Sequence, residues 1–242
     1  MIVFINAFAV KKMRNKEEKS IELERIWLSM IPSIIVIVVE WLVYLLDFSE
    51  IFGKSLYLFG ILPRHINGLI GIVLSPFIHE SYMHLLSNTL PLFVLLWCLF
   101  YFYRSIAIKS LLLLWLLSGS LTWIIGRESY HIGASGIIFS LIFFLFFSGI
   151  FRNHIPLIAV SLIVAFVYGS SLWSIFPFAQ YIDANLSWEG HLSGAISGFV
   201  IAFAFRNQGP QKPEKIWDDD DNEVSREDES ERENPADFEN PI

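Results

Sequence analysis

The chain has 242 residues, 54% of them hydrophobic, and a mean hydropathy of +0.53, which is typical of polytopic helical membrane proteins and excludes an ordinary soluble domain. The formal net charge of −7 is concentrated at one end, because residues 211–242 hold 13 acidic and 4 basic side chains. That tail therefore carries −9 and the rest of the chain only +2, a balance that predicts no nucleic-acid partner.

Apolar runs predict an all-α fold with six transmembrane helices. A charged N-terminal segment, 1–29, precedes a membrane domain, 30–206, and Ile21 to Trp27 predict an interfacial amphipathic helix within that segment. The connection 48–78 is too apolar for a flexible linker, so we expect it to fold on, or dip into, the outer leaflet. The acidic tail, 207–242, is expected to be disordered. The predicted spans are 31–46, 82–103, 110–125, 135–151, 156–176 and 189–205.

The distribution of Lys and Arg predicts the orientation of these spans. Six spans place both termini on one side, and Lys and Arg mark the cytoplasmic side. The side of the termini has six basic residues before residue 30 and four more in later connections, whereas the other side has Lys54, Arg64 and Arg127 alone. Both termini are therefore predicted to be cytoplasmic, and Ser135 is predicted to lie near the outer end of the fourth span.

A serine next to glycines opens that fourth span, in the stretch 131–136 (HIGASG). Polar groups inside a bilayer are costly and usually functional. The flanking Gly133 and Gly136 permit a tight turn and close approach of a substrate. The first amides of a helix are unpaired and carry partial positive charge, so Ser135 is a candidate nucleophile at a candidate oxyanion site.

Two histidines and an asparagine mark the start of the second span. His84 and Asn88 are four residues apart and share one helix face, at the depth expected for Ser135. An interhelical hydrogen bond is the structural alternative for this pair. A zinc-protease HExxH motif does not fit, because His79 and His84 are five residues apart, about 140° around a helix. The single cysteine, Cys98, excludes a CxxC site, and we expect neither a metal nor another cofactor.

A histidine also opens the sixth span. Gly194 and Gly198 form a GxxxG face that allows close helix packing, and Gly136 and Ser140 offer a matching small-residue face on the fourth span. Packing of these faces would bring His191 beside Ser135. A membrane histidine without such a face is more often a hydrogen-bonded structural residue.

This set of residues suits nucleophilic catalysis. A serine hydroxyl needs an adjacent base, and the ordinary pKa of histidine suits that task. The Ser135 amide, Asn88 and His84 could donate hydrogen bonds to an oxyanion. No carboxylate orients the histidine, because Glu189 is two residues from His191 and faces elsewhere on a helix. Phe139, one turn after Ser135, could instead stack on the imidazole.

With three motifs in this order, the sequence resembles the rhomboid intramembrane serine proteases of the six-helix bacterial type. The resemblance covers about residues 30–206 and implies that Ser135 is the nucleophile and His191 the general base of a dyad. It implies an oxyanion hole made of Asn88, His84 and the Ser135 amide. The residues that carry the resemblance are the GASG stretch Gly133, Ala134, Ser135 and Gly136, the H-x4-H-x3-N set His79, His84 and Asn88, and GHLSGAISG over 190–198.

The resemblance also implies a substrate and a membrane. Family members cleave transmembrane segments of membrane proteins near the outer face without a cofactor, so the implied partners are such segments and the lipid bilayer. The implied location is the bacterial inner membrane. His79 would line the water-accessible cavity, 48–78 would be a membrane-embedded loop, and 177–187 would cap the site. Substrate would reach the site between the second and fifth spans.

The sequence departs from the family pattern in two places. Phe139 replaces a tyrosine that often stacks on the histidine, so the ring can still stack but lacks a hydroxyl. The Trp-Arg pair that some members have in the first loop is absent. Glu40, in the middle of the first span, is interpreted as a structural hydrogen-bonding group, with substrate gating as the alternative.

Two other functions remain open. A catalytically silent rhomboid-like protein would bind membrane clients, although that class typically lacks the serine or the histidine that this chain retains. A transporter would need polar residues along a continuous path, whereas the polar groups here cluster on the outer side.

Overall fold

The computed structural model describes residues 2–49, 56–181 and 186–212; of residues 2–15, 180 and 181 only the backbone is described. Contacts between Cα atoms divide the chain into two units, Met1–Gln211 and Lys212–Ile242. Only Lys212 of the second unit belongs to the described residues, so most of the predicted acidic tail lies outside them, as does the region 182–185 of the predicted cap.

Helices dominate the first unit, which confirms the predicted all-α class. Five helical segments of the described residues are long and apolar enough to cross a membrane, and α7, with 17 residues, is shorter than these. After α6 the chain continues as a 3₁₀ segment, Gly169–Ile175. The α-helices are α1 (Ile2–Phe48), α2 (Gly71–Leu74), α3 (Tyr82–Phe102), α4 (Ala107–Ile125), α5 (Ser135–Arg152), α6 (Ile155–Tyr168) and α7 (Trp188–Ala204).

The first helix extends beyond its predicted span. The predicted first span, 31–46, is part of one continuous 47-residue helix, α1, with Pro32 inside it. The charged residues before Pro32 are mostly Lys, Glu and Arg, which are good helix formers, so no break separates the N-terminal segment from the span. The tryptophan Trp41 of α1 donates a hydrogen bond to Thr89 of α3, and Trp97 of α3 donates one to Ser29 of α1.

The helix that begins at Ser135 is the centre of the bundle. In α5, 61% of the residues of its most apolar stretch are buried, against 17–33% in the other four long segments. It packs against α3, α4, α6 and α7, and Leu141, Phe144 and Leu145 are fully enclosed. A helix that is apolar on all sides belongs in such a position.

Small residues let α5 and α7 approach closely. A Cβ atom at Gly194 would lie 2.3 Å from the Gly136 carbonyl oxygen, and one at Gly198 would lie 2.4 Å from the Ser140 carbonyl oxygen. No larger side chain fits at those two positions, so the two backbones touch as in other small-xxx-small pairs. This contact brings the first turn of α7 beside the first turn of α5.

The described part of the connection before α3, residues 56–81, is built from short helical turns pinned to the α4–α5 connection. Ile61 and His131 exchange two backbone hydrogen bonds of 2.9 and 2.8 Å. Trp115 of α4 donates from its indole nitrogen to the Ile72 carbonyl, and the Gly133 amide donates to the Ser75 carbonyl. The connection therefore forms a wall next to Ser135.

Candidate active site

The turn before α5 depends on one glycine. Gly133 has φ = +97°, a conformation that L side chains rarely adopt. Its amide is bonded to Ser75, and Ala134, fully enclosed, is the N-cap residue of α5. Ser135 is therefore the first residue of the helix, where backbone amides have no partner within the helix. The Ser135 hydroxyl therefore lies next to the first backbone amides of α5.

The predicted oxyanion donors lie against this turn. A Cβ atom at Gly133 would be 2.6 Å from His84 Nε2 and 3.6 Å from Asn88 Nδ2. Asn88 is 6% exposed, and its Nδ2 has no hydrogen-bond partner among the described residues. Because a buried amide without a partner is costly, such a donor is expected where a ligand oxygen binds.

The predicted base stacks on the ring of Phe139. The ring centroids of His191 and Phe139 are 4.3 Å apart and their planes differ by 16°. Phe139 is four residues after Ser135, so it lies on the same face of α5 one turn away. The imidazole is thereby held next to the helix that presents the serine.

Ser135 and His191 line one cavity of about 680 Å³, together with His84, Asn88 and Phe139. The described residues contain no hydrogen bond from the Ser135 hydroxyl to His191. In unliganded sites such bonds are often long and tighten when substrate binds. The structure therefore brings the two side chains to the same cavity, and their direct bond stays a prediction.

His79 lies behind this cavity. Its ring packs edge-on against His84, with centroids 5.1 Å apart, and it lines a separate cavity of about 270 Å³. Burial, and secondarily the neighbouring His84, lower the pKa of His79 to about 3, so the ring is neutral at physiological pH. The cavity of Ser135 is lined by His84 and not by His79, and the implied contact of His79 with water stays a prediction. Among the described residues, no three His, Cys, Asp or Glu side chains are placed to hold a metal ion.

The partner of the second ring nitrogen of His191, Nδ1, was not predicted from the sequence. The structure places Ser174 there, with Oγ at 2.9 Å and the carbonyl oxygen at 3.2 Å from Nδ1. Ser174 belongs to the 3₁₀ segment after α6. The only signal in the sequence was a group of serines at the end of the fifth span.

Sequence reasoning also missed a cluster that ties the α4–α5 connection to the start of α7, which we call the loop–helix clamp (Arg127, His131, Leu186, Ser187 and Glu189). His131 Nδ1 lies 2.6 Å from Ser187 Oγ, which also accepts the Gly190 amide as the N-cap of α7. The other ring nitrogen of His131 is 3.1 Å from the Arg127 carbonyl oxygen. Burial lowers the pKa of His131, which favours the neutral ring.

An ion pair completes the clamp. The Arg127 amide donates to Glu189 Oε1 at 3.3 Å, and the guanidinium lies 3.7 Å from Oε2 and donates to the Leu186 carbonyl. Glu189 is 2% exposed. Through these contacts with Arg127, the carboxylate links the first turn of α7, which carries His191, to the connection before Ser135.

Comparison with known proteins shows which family the chain is similar to. The family model described as the rhomboid domain matches residues 67–208. An uncharacterized protein of Mycobacterium tuberculosis is 37% identical over 169 residues, 67% of this chain and 69% of the relative. An uncharacterized protein of Mycobacterium leprae is 34% identical over 182 residues, 72% and 71% of the two chains. A protein named putative rhomboid protein in Acanthamoeba polyphaga mimivirus is 29% identical over 142 residues, 57% and 75%.

The matched region contains α3 to α7 and every residue of the candidate site. The five long apolar helices of the described residues, together with this family match, make the chain an integral multi-pass membrane protein. The chain belongs to the rhomboid family.

Proposed function

We propose that this protein is an intramembrane serine endopeptidase with Ser135 as nucleophile and His191 as general base. The observation that carries the proposal is the shared cavity, where three groups converge: the serine at a glycine-bounded helix start, a stacked imidazole, and the Asn88 amide, which has no partner within the described part of the chain. These are the three parts that acyl transfer requires: a nucleophile, a base and an oxyanion donor.

The chemistry follows from these positions. The Ser135 oxygen attacks the scissile carbonyl carbon while His191 Nε2 accepts the hydroxyl proton. The Ser135 amide, Asn88 Nδ2 and His84 stabilise the resulting oxyanion. Collapse breaks the C–N bond, His191 returns the proton to the leaving amine, and an acyl-enzyme remains. Water, deprotonated by His191, then releases the second product and restores the serine hydroxyl.

A transmembrane segment is the proposed substrate, reaching the cavity sideways. The cavity is lined by Met83, Ser87 and Pro91 of α3, by Tyr168 at the end of α6 and by Ser171 of the 3₁₀ segment that follows α6. Of the helices, α6 packs mainly against α5, so the α3–α6 side of the cavity is the one that a membrane segment can approach. The outer surface of α6 is strongly apolar, and the side chain of Phe166 is 91% exposed there.

A purified-protein assay tests the proposal. We expect the detergent-solubilised protein to cleave a transmembrane reporter and a fluorophosphonate to label Ser135. Ser135→Ala abolishes both, and His191→Ala abolishes cleavage and strongly reduces labelling. Ser148→Ala, on the same helix at its opposite end, serves as the matched control and retains activity. Cleavage by Ser135→Ala at the parental rate would refute the mechanism.

A catalytically silent rhomboid-like role is the second candidate. It is favoured by the missing hydrogen bond between Ser135 and His191 among the described residues and by phenylalanine at position 139. Stable capture of transmembrane reporters by the parent protein, without products and without fluorophosphonate labelling, would select this role.

We further propose that both termini are cytoplasmic and that the protein lies in a bacterial inner membrane. The side of the termini carries most of the Lys and Arg residues. This orientation puts Ser135 near the outer face. In a Cys98→Ala background, labelling of single cysteines introduced at Lys19 and Ser129 with an impermeant reagent tests the orientation, since only the second is expected to react in intact cells.

A further inference from the structure

The hydroxyl of Ser174 stands between His191 and a backbone carbonyl. Its Oγ lies 2.9 Å from His191 Nδ1 and also donates a 2.7 Å hydrogen bond to the Ser171 carbonyl oxygen. The Ser174 carbonyl oxygen lies 3.2 Å from the same ring nitrogen. All three contacts arise in the 3₁₀ segment Gly169–Ile175, which packs against α7.

These bonds have only one consistent direction. Both carbonyl oxygens only accept, so all three contacts pair a donor with an acceptor only when the Ser174 hydroxyl donates to the Ser171 carbonyl. The Ser174 oxygen then faces His191 with a lone pair, and the Ser174 carbonyl does the same. Both accept from Nδ1, which must therefore carry a proton. In the neutral ring the other nitrogen, Nε2, is then unprotonated, and this is the tautomer that a general base needs.

We propose that Ser174 is the positioning residue of His191, a role that rests on the proposed function of the site. Phe139 stacks on the face of the imidazole, and Ser174 accepts a hydrogen bond from Nδ1 at its edge. Together they define the orientation of the ring and leave Nε2 available to Ser135. Ser174 thus orients the imidazole and fixes its tautomer with neutral acceptors, as a carboxylate does in a catalytic triad. Glu189 does not take that role, because it is bound to Arg127.

The kinetic test removes the hydroxyl and then restores it. Ser174→Ala keeps the carbonyl acceptor, so we expect kcat on a transmembrane reporter to fall about 3–10-fold, as for one lost hydrogen bond, with KM unchanged. Ser174→Thr, which restores a hydroxyl, should recover most of the parental kcat. Ser170→Ala is the matched control, because Ser170 is exposed in the same 3₁₀ segment. Equal kcat values for Ser174→Ala and this control would overturn the proposal.

A spectroscopic test does not depend on activity. In protein labelled with ¹⁵N-histidine, the shifts of the two ring nitrogens of His191, assigned with His191→Gln, report which one carries the proton. We expect the parent to show the Nδ1–H tautomer and Ser174→Ala to show a larger Nε2–H fraction. A parent ring protonated on Nε2 would overturn the proposal even in an active protein. The expected tautomer in a protein that cleaves nothing would instead support the role of Ser174 and count against the endopeptidase function.

Discussion

At the scale of single residues, the site depends on a backbone conformation that only glycine adopts readily. Gly133 turns the chain at φ = +97° so that His84 and Asn88 reach the start of α5. A variant that keeps Ser135, His191, His84 and Asn88 should therefore still lose activity if this turn is altered.

Gly133→Ala tests that dependence. The new Cβ would lie 2.6 Å from His84 Nε2 in a strained conformation, so we expect a loss of at least about tenfold in kcat/KM and about 1–3 kcal/mol in the free energy of unfolding. The control is Gly169→Ala, where φ is −58° and no atom would come within 4 Å of the Cβ. Reporter cleavage and thermal unfolding measure both variants. Parental behaviour of Gly133→Ala would contradict the assigned role.

Asn88→Ala separates catalysis from stability. Removing one oxyanion donor typically lowers kcat by about 10²–10³-fold. Because the Asn88 Nδ2 has no partner among the described residues, the folded protein should lose little stability or gain some. We expect a large fall in kcat, an almost unchanged KM and an unchanged or higher melting temperature. A kcat within threefold of the parent would remove Asn88 from the oxyanion hole.

At the scale of elements, the relative position of α5 and α7 is set at two levels. The glycines of α7 allow the backbones to touch, and the loop–helix clamp fixes the first turn of α7 against the connection before α5. Burial makes the ion pair of the clamp sensitive to loss of either partner, since a lone buried carboxylate is strongly unfavourable.

A double-mutant cycle on Arg127 and Glu189 tests the clamp. Arg127→Ala leaves Glu189 buried without its cation, so we expect a loss of about 2–4 kcal/mol in the free energy of unfolding, partly recovered by adding Glu189→Gln. The exposed pair His65–Glu128 provides the control, and Glu128→Gln should cost less than about 0.5 kcal/mol. Additive effects of the Arg127 and Glu189 changes would show that the pair is not coupled.

At the scale of the whole molecule, stability should depend on pH through buried histidine. The pKa of His79 is lowered from 6.5 to about 3. Between these pH values the unfolded chain binds a proton at His79 and the folded protein does not. Stability is therefore fully present above about pH 6.5 and falls as the pH decreases from 6.5 towards 3. The slope should be reduced by about one proton in His79→Gln, measured as the free energy of unfolding against pH. Equal slopes for parent and variant would contradict the assigned burial.

The composition and the local pattern were sufficient for the class of the molecule. A continuous apolar run of about 20 residues spans a bilayer as a helix, which satisfies its own backbone, so the all-α membrane fold and most span boundaries followed from sequence. The motifs also led to the correct family, because glycines flanking Ser135 and spaced along α7 have few other uses. The structure adds that the segment before the first span and the span itself form one continuous helix through Pro32, and the interfacial position of Ile21 to Trp27 stays a prediction.

What the sequence determined by itself was therefore the apolar periodicity of the spans, the glycines that allow close packing and the candidate residues Ser135 and His191. Only the tertiary structure decided which groups hold those residues in place. The bond between Ser174 and His191 joins positions 17 residues apart, and that between His131 and Ser187 joins positions 56 apart. Such pairs depend on how the helices cross and on the path of their connections, which are set by packing throughout the bundle and leave no local pattern in the chain.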